Sequence, residues 1–408
     1  MVIMEYSLMG KARMPPTWIT HATLTNAAGT GLSANRRAFQ EERSGLRPCD
    51  FETIALKTWV GQVQGLEESP LPDRFALFDS RIHRLIRRGV EQDQFVEAVQ
   101  KAQARYGNHR VGLIFATSTS GILETEVAYR QRDAEGRLPK GFRYQTVQNT
   151  FSGALFLSQY LKLEGPLLTL STACSSSAKA FASASRWLTA DLCDAVIIGA
   201  ADSLCGTTIY GFHSLGLVAE TPCQPFGENR TGISIGEGAG FALLERNPNQ
   251  DTDLAVLGYG ESSDAFHMST PHPEGLGAKR AMLEAIDRAG LNPDQIDYVL
   301  LHGTGTQAND LSEDLAVSTV FGTQTPCSSI KGLMGHTLGV AGITNVLIGM
   351  LCLQAGWMPK TFMTQKLDHR LKSHVLTQSG SKKLDHIVCN AFGFGGSNCS
   401  LVIGRRHV

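Results

Sequence analysis

The sequence lacks every cysteine arrangement that would make it a stapled or zinc-bound scaffold. Its nine cysteines are odd in number and scattered, and no two stand as a C-x-x-C pair. That argues against a disulfide framework and a zinc ribbon, and for a reducing compartment. An excess of charge of one sign is also missing: 37 Lys and Arg stand against 38 Asp and Glu, a formal net charge of -1. No global basic field exists to hold nucleic acid, so a charged partner has to meet a local patch. The stretch Met1–Ala12 has no apolar core of a secretory signal, and no apolar run reaches membrane-spanning length. These absences predict a cytoplasmic chain with neither nucleic acid nor membrane as partner. What is present, 408 residues with 42% hydrophobic and 18% charged content, exceeds one usual core. Two domains or a duplicated one are expected.

One stretch organises the rest. Pro166–Ser171 is apolar and β-branched, a short buried strand, and Ser175–Arg186 is a run of Ala, Ser and Lys at helical spacing. Cys174 falls on the small-residue turn between them, at a helix N-terminus. Backbone N–H groups and the macrodipole there favour a thiolate, which makes Cys174 a candidate nucleophile. The alternative is a buried small hydrophobe, the usual state of a free cysteine.

In chain order, Met1–Met14 looks like a tail. Trp18–Leu24 is a strand, and Ser33 caps a helix running to Glu42. Arg81–Tyr106 has helical spacing with a basic outer face (Arg81, Arg84, Arg87, Arg88), and Val111–Ala116 has the continuous apolar run of a buried parallel strand. Arg132–Arg143 is a surface loop, with a helix near Thr146–Leu163. Ala195–Gly199 and the segment ending at Glu245 are strands. From Asp253 the pattern restarts: strands Leu254–Tyr259 and Ile296–Leu301, helices Gly277–Ala289 and Leu311–Phe321, the turn Gly335–Gly342, an apolar helix to Leu353, and strands His386–Phe392 and Asn398–Gly404. The expected division is a tail at 1–13, a first half at 14–250 and a second at 251–408. In each half a strand, a turn bearing a reactive side chain (Cys174, then His336) and an apolar helix follow one another. A duplicated βα unit with a pseudo-twofold axis would bring the two turns together.

The second half supplies partners for the cysteine. His302 closes a buried strand, where ligands gather in parallel α/β sheets, and His336 sits on the turn opening a helix. Asn390–Asn398 is glycine-rich, needing positive φ or close approach, and its N–H groups suit half of an oxyanion hole. Thr172-Ala-Cys174-Ser-Ser, His302-Gly-Thr-Gly-Thr306, Lys331-Gly-Leu-Met-Gly-His336 and Gly393-Phe-Gly-Gly-Ser-Asn398 resemble the four signature blocks of the β-ketoacyl-acyl-carrier-protein synthases. Ser262–His267 and Gly236–Gly240 extend the likeness over nearly the whole chain. One departure is Gly227-Glu-Asn-Arg-Thr-Gly232, which stands where the family usually has Asp-x-x-Arg-Asp-Gly.

The resemblance implies an α/β, thiolase-like fold of two duplicated halves in five αβαβα layers. It implies Cys174 as nucleophile, with His302 and His336 donating hydrogen bonds to a malonyl thioester carbonyl. Lys331 paired with Glu313 would shape the field, and Cys174 and Phe394 would supply oxyanion N–H groups, Phe394 also being a gate. Thr304 and Thr306 would hold pantetheine, and Thr119, Tyr144 and Phe151 would form the acyl pocket. No cofactor or metal is implied, since acyl groups arrive on the phosphopantetheine of an acyl carrier protein. That acidic partner would meet Arg81, Arg84, Arg137, Lys140 and Arg143, or these form only a solvated face. Two histidines favour decarboxylative elongation by a homodimer or a heterodimer with a related subunit; the alternative is a partner subunit that mainly sets chain length. The pathway, fatty-acid, polyketide or (aryl) polyene, stays open. Thr119 and Tyr144 either select short or polyunsaturated chains or are occupied elsewhere, Thr119 on a neighbouring carbonyl and Tyr144 in solvent. Gly232-Ile-Ser-Ile-Gly236 fits the serine-hydrolase elbow, but a strand is expected after it rather than a helix. Asn229 and Asn398 head glycosylation sequons, idle in a cytoplasmic protein.

Overall fold

Alternation of buried apolar residues on the strands sets the layering. In Ala195–Asp202, Val196, Ile198 and Ala200 face one core, while Ala195, Ile197 and Ala201 face another. Successive strand side chains point to opposite faces, so a strand apolar throughout must be covered on both sides. The structure, a computed structural model, describes residues 13–248 and 252–405.

The main strands are β1 (Thr17–Asn26), β2 (Val111–Ala116), β3 (Leu167–Leu170), β4 (Ala195–Asp202), β5 (Gly238–Glu245), β6 (Leu254–Ser263), β7 (Tyr298–Leu300), β8 (Pro326–Ser328), β9 (His374–Val375), β10 (His386–Gly393) and β11 (Ser397–Arg405). They join in the order β9-β8-β7-β10-β11-β6-β1-β5-β4-β2-β3. The first half runs β3-β2-β4-β5-β1 and the second β8-β7-β10-β11-β6. Leaving aside the two-residue edge strand β9 and taking each half's other strands in chain order, both read third, second, fourth, fifth, first. The pairings repeat as well: β2 is parallel to β3 and β4, and β7 is parallel to β8 and β10. The remaining pairs among these five strands of each half are antiparallel, and the edge strand β9 adds in parallel to β8. The halves meet where Thr17 and Trp18 pair with Val256 and Ala255. This is the duplicated thiolase-like arrangement.

Two helices fill the middle layer, Ser176–Thr189 after Cys174 and Ala341–Ala355 after His336. Both bury residues in the core shared by the inner faces of the two half-sheets. The outer cores lie under Arg81–Val90, Phe95–Tyr106 and Ser152–Leu161 on one side, and under Leu276–Ala289 and Gln307–Phe321 on the other. The inner helices touch where a Cβ on Gly342 would lie 2.5 Å from Ala178 N and 2.8 Å from Ala178 Cβ. Gly342→Val should therefore force the helices apart and cost about 3 kcal/mol, the upper range for overpacking. Urea denaturation checks it, and an unchanged midpoint would refute the close approach.

Several expectations change. The first helix is Leu32–Gln40 with Gly31 at its N-cap, so Ser33 lies inside it and caps nothing. Arg81–Tyr106 is two helices, broken where Asp93 and Gln94 take positive φ. The helix placed at Thr146 begins at Ser152, after a π-turn over Tyr144–Gln148. Leu338–Ala355 does reach the length and mean hydropathy, 1.8, of a membrane span, yet 83% of it is buried inside the protein. The tail lies largely outside the described residues, and Met14 N already donates to Arg288 O. Ser234 of the Gly-x-Ser-x-Gly match is fully buried and followed by strand β5, as expected. Asn398 of the second sequon is buried and donates to Asp264.

Candidate active site

The nucleophile turn is held by its own small side chains. Ala173 takes φ +51, a conformation costly to a residue with a Cβ. Ser176 Oγ accepts from Thr172 N at 2.8 Å and donates to Ala173 O at 2.6 Å, while Ser175 Oγ donates to Thr172 O at 2.9 Å. Gly393, ending β10 in the other half, lies so near that a Cβ would stand 3.0 Å from Thr172 O and 3.1 Å from Cys174 N. That approach brings the Phe394 N–H, with the Cys174 N–H, onto Cys174 Sγ.

Cys174, His302 and His336 converge, their ligand-capable atoms within 4.8 Å of one another. His336 Nε2 is 3.0 Å from Cys174 Sγ. On the far side of that ring, Leu338 N donates to Nδ1 at 3.3 Å. A nitrogen that accepts carries no proton, so the neutral ring holds its proton on Nε2, facing the sulfur. His302 is set similarly: Lys331 Nζ lies 3.5 Å from its Nδ1 and donates to its backbone carbonyl. Burial, with the Lys331 charge, holds both imidazoles well below the usual histidine range, so both are neutral. The three groups could also be read as a metal cluster. A metal there would need a bare nitrogen from each ring and the thiolate of Cys174, whereas the bond from Leu338 N leaves the His336 proton on Nε2.

Two expectations about this chemistry are corrected. Burial dominates at Cys174 and pushes the thiol up to about 12 despite Lys331 and the two N–H groups, so the resting group is a thiol, not a thiolate. Lys331 and Glu313 do not form an ion pair with each other; they grip the same peptide from opposite sides. Glu313 accepts from His302 N and Gly303 N at 2.7 Å each and from Asn390 Nδ2 at 3.1 Å, while Lys331 donates to His302 O. Burial raises Glu313 to about 7 and lowers Lys331 to about 8.

Cys174 and Phe394 lie at the junction of two cavities. One, of about 150 Å³, contains both histidines, Thr304, Thr306 and Asn309. Thr304 and Thr306 hydroxyls are 3.0 Å apart, and Thr306 caps the helix Gln307–Phe321. The other cavity, about 340 Å³, is lined by Thr119, Thr207, Thr208, Gly211 and Leu338. Phe212 borders both and packs on Phe394 with ring centroids 5.1 Å apart. Phe212 is absent from the residues expected at the site, because nothing in the β-branched and glycine-containing run Thr207–Gly211 signals the helix Gly206–Ser214 that carries it. Asp264 and Asn309 are absent as well, although Asp264 lies within the quoted Ser262–His267 stretch.

The remaining site assignments fare unevenly. Thr119 does line the larger cavity, but its hydroxyl bonds Asp202 at 2.9 Å rather than a carbonyl. Tyr144 and Phe151 line neither cavity; they are 53% and 38% exposed, carried on the π-turn and at the start of the following helix. The basic face is mostly consumed. Arg81 is buried against Glu237 and Glu67, Arg84 pairs with Asp79, and Arg137 pairs with Asp133 and Glu135. Arg143 donates to Ala76 O and Asp79 O, leaving Lys140 exposed and without an ion pair among the described residues. In the departing loop, Arg230 is buried between Asp310 and Asp368.

Comparison with known proteins agrees with this geometry. Residues 78–250 match the family description "Beta-ketoacyl synthase, N-terminal domain", and residues 254–365 match "Beta-ketoacyl synthase, C-terminal domain". The 3-oxoacyl-[acyl-carrier-protein] synthase 2 of Vibrio cholerae is 27% identical over 95% of this chain and 98% of its own. Nodulation protein E of Rhizobium meliloti is 32% identical over 91% and 95%. Among solved structures, a chain of the ketosynthase ApeO in complex with its chain length factor ApeC, from Xenorhabdus doucetiae, superposes with a TM-score of 0.88. It is 36% identical, covering 98% of this chain and 100% of that one. With the fold, the Cys-His-His cluster and these matches in agreement, the chain belongs to the beta-ketoacyl synthase family and is an acyl-transferring ketosynthase.

Proposed function

We propose that Cys174 takes an acyl group from a carrier-protein thioester and condenses it with a decarboxylating malonyl thioester, without a cofactor of its own. In the first step the sulfur attacks the acyl carbonyl, the pantetheine sulfur leaves, and the thiol proton passes to it. In the second, the malonyl carboxylate departs as carbon dioxide and leaves its electron pair as a thioester enolate. The Nε2–H groups of His302 and His336 stabilise that developing charge. The enolate carbon then attacks acyl-Cys174, the N–H groups of Cys174 and Phe394 hold the tetrahedral oxygen, and the cysteine sulfur leaves as a thiolate that takes one proton from water. The observation that carries this reading is the pair of buried, neutral imidazoles set around Cys174 between two cavities. The smaller cavity, with Thr304 and Thr306, suits the pantetheine arm, and the larger suits the acyl chain.

For partners, we infer a carrier protein and a related ketosynthase-like subunit. Exposed Tyr144, Phe151, Tyr210 and Leu215 are apolar side chains suited to such a subunit. The likeness to a ketosynthase solved with its chain length factor supports a heterodimer. Carrier docking on the basic face rests on Lys140, with Arg137 available only by giving up its exposed pairs to Asp133 and Glu135. The acyl preference is for short or polyunsaturated chains, in a fatty-acid, polyketide or polyene pathway. Thr119 supports this less than its hydroxyl first suggests, because that hydroxyl is occupied by Asp202.

The test is mass spectrometry of acyl-Cys174 and elongation rates with saturated C14–C16 and short polyene carrier proteins, with and without the related subunit co-expressed. Faster polyene turnover is expected, from a dimer burying well over ~1,600 Å². Faster turnover of the saturated chains, or a fully active monomer, would overturn the reading. A chain that decarboxylates poorly and never acylates Cys174 would be the chain-length-setting partner instead.

A further inference from the structure

We propose that Asp202 is a positioning residue that holds the His336 turn and one wall of the acyl cavity together through a single carboxylate. This rests on the reading of His336 as a hydrogen-bond donor.

Asp202 ends β4 and is fully buried. Its Oδ1 accepts from Thr117 Oγ1 at 2.8 Å, Ser118 N and Thr119 N at 2.7 Å, and Thr119 Oγ1 at 2.9 Å. Its Oδ2 accepts from Ser118 Oγ and Gly339 N, both at 2.7 Å. Six donors fill a carboxylate that has about four lone-pair sites. Five come from the turn after β2, whose Ser118 and Thr119 line the acyl cavity. The sixth comes from the other half of the molecule, from the turn that follows His336.

That sixth bond is where the carboxylate reaches the chemistry. Gly339 lies so close that a Cβ would stand 2.7 Å from Asp202 Oδ2. The residue before it, Leu338, takes φ +53, a region costly to a side chain, so something outside must hold it. Leu338 in turn lines the acyl cavity, and its N–H bonds His336 Nδ1, which puts the ring proton on Nε2 toward Cys174. The chain of contacts runs Asp202, Gly339, Leu338, His336.

The duplication gives this arrangement a counterpart. Asp202 ends the fourth strand of the first half, and Gly393 ends the fourth strand of the second. Gly393 and Phe394 press on the Cys174 turn of the opposite half, and Asp202 presses on the His336 turn of the opposite half. Each fourth strand thus ends on the reactive turn of the other half. A role confined to the β2 turn would account for five of the bonds but not for the crossing one.

The test uses the full chain carrying Cys174→Gln, in which malonyl decarboxylation is followed without an acyl chain. Adding Asp202→Asn should lower decarboxylation about 100-fold, the scale of losing one aimed donor. Nitrogen NMR of labelled histidine should show the His336 proton moving from Nε2 to Nδ1. Adding Leu338→Gly to Asp202→Asn should recover fivefold or more, because glycine adopts positive φ without help. A merely structural carboxylate predicts neither the tautomer change nor the rescue. Decarboxylation within threefold of the parent, an unchanged tautomer, or no rescue would each overturn the proposal. Should Asp202→Asn fail to fold, Ser118→Ala replaces it; a fivefold loss supports the proposal and an unchanged rate overturns it. His336→Ala serves as reference. Its loss of decarboxylation beside an unaffected Asp202→Asn overturns this inference alone, and its retention overturns the functional reading beneath it.

Discussion

Cys174→Ala is expected to abolish condensation, by at least about 1,000-fold, as removal of a catalytic nucleophile does elsewhere. The substitution removes the sulfur that lies within reach of His336 Nε2, the Cys174 and Phe394 N–H groups and both cavities. It adds little strain, since the turn is held by Ser175 and Ser176 rather than by the thiol. Cys174→Gln should behave differently from Cys174→Ala. Its amide oxygen can occupy the oxyanion position that an acyl-cysteine carbonyl would fill, while His302 and His336 stay in place. Condensation is then lost but carbon dioxide is still released from the malonyl thioester. Product mass spectrometry beside a carbon dioxide assay separates the two steps. A Cys174→Ala protein that condenses within tenfold of the parent would refute the assignment of the nucleophile.

The sequence carried the site further than it carried the surroundings. Cys174, His302 and His336 stand on glycine-rich or small-residue turns after apolar strands, and a local pattern of that kind is visible in one dimension. The duplication was legible for the same reason, since Val111–Ala116 and Ala195–Ala201 in the first half and Leu254–Tyr259 and Ile296–Leu301 in the second are largely apolar runs between polar connections. Gly206–Ser214 was not legible. Thr207, Thr208 and Ile209 are β-branched and Gly211 interrupts the spacing, so propensity argues against the helix that packing imposes. The fate of the arginines was hidden by distance: Arg81 pairs with Glu237, 156 residues away. Asp202 was hidden likewise, its donors lying 84 and 137 residues off at Ser118 and Gly339. The thiolate expected at Cys174 failed on magnitude, because two N–H groups and one buried lysine do not offset complete burial of the sulfur.

Replacing either histidine should separate acyl transfer from decarboxylation. Decarboxylation leaves charge on a thioester oxygen, and in a buried site each aimed donor is worth about 3–4 kcal/mol, or 10²–10³ in rate. His336→Ala and His302→Ala should therefore each slow decarboxylation by 100-fold or more. Acyl transfer asks less of them, because its tetrahedral oxygen falls to the N–H groups of Cys174 and Phe394. Burst formation of acyl-Cys174, read by intact mass, should fall by no more than about tenfold. His336→Gln should recover part of the lost decarboxylation by offering an amide N–H near the position of Nε2. His302→Gln should recover less, because the imidazole also faces Lys331, which an amide reaches with different geometry. Equal losses of acyl transfer and decarboxylation in both alanine variants would instead make the histidines general supports of the thiol. The donor reading requires the two steps to part.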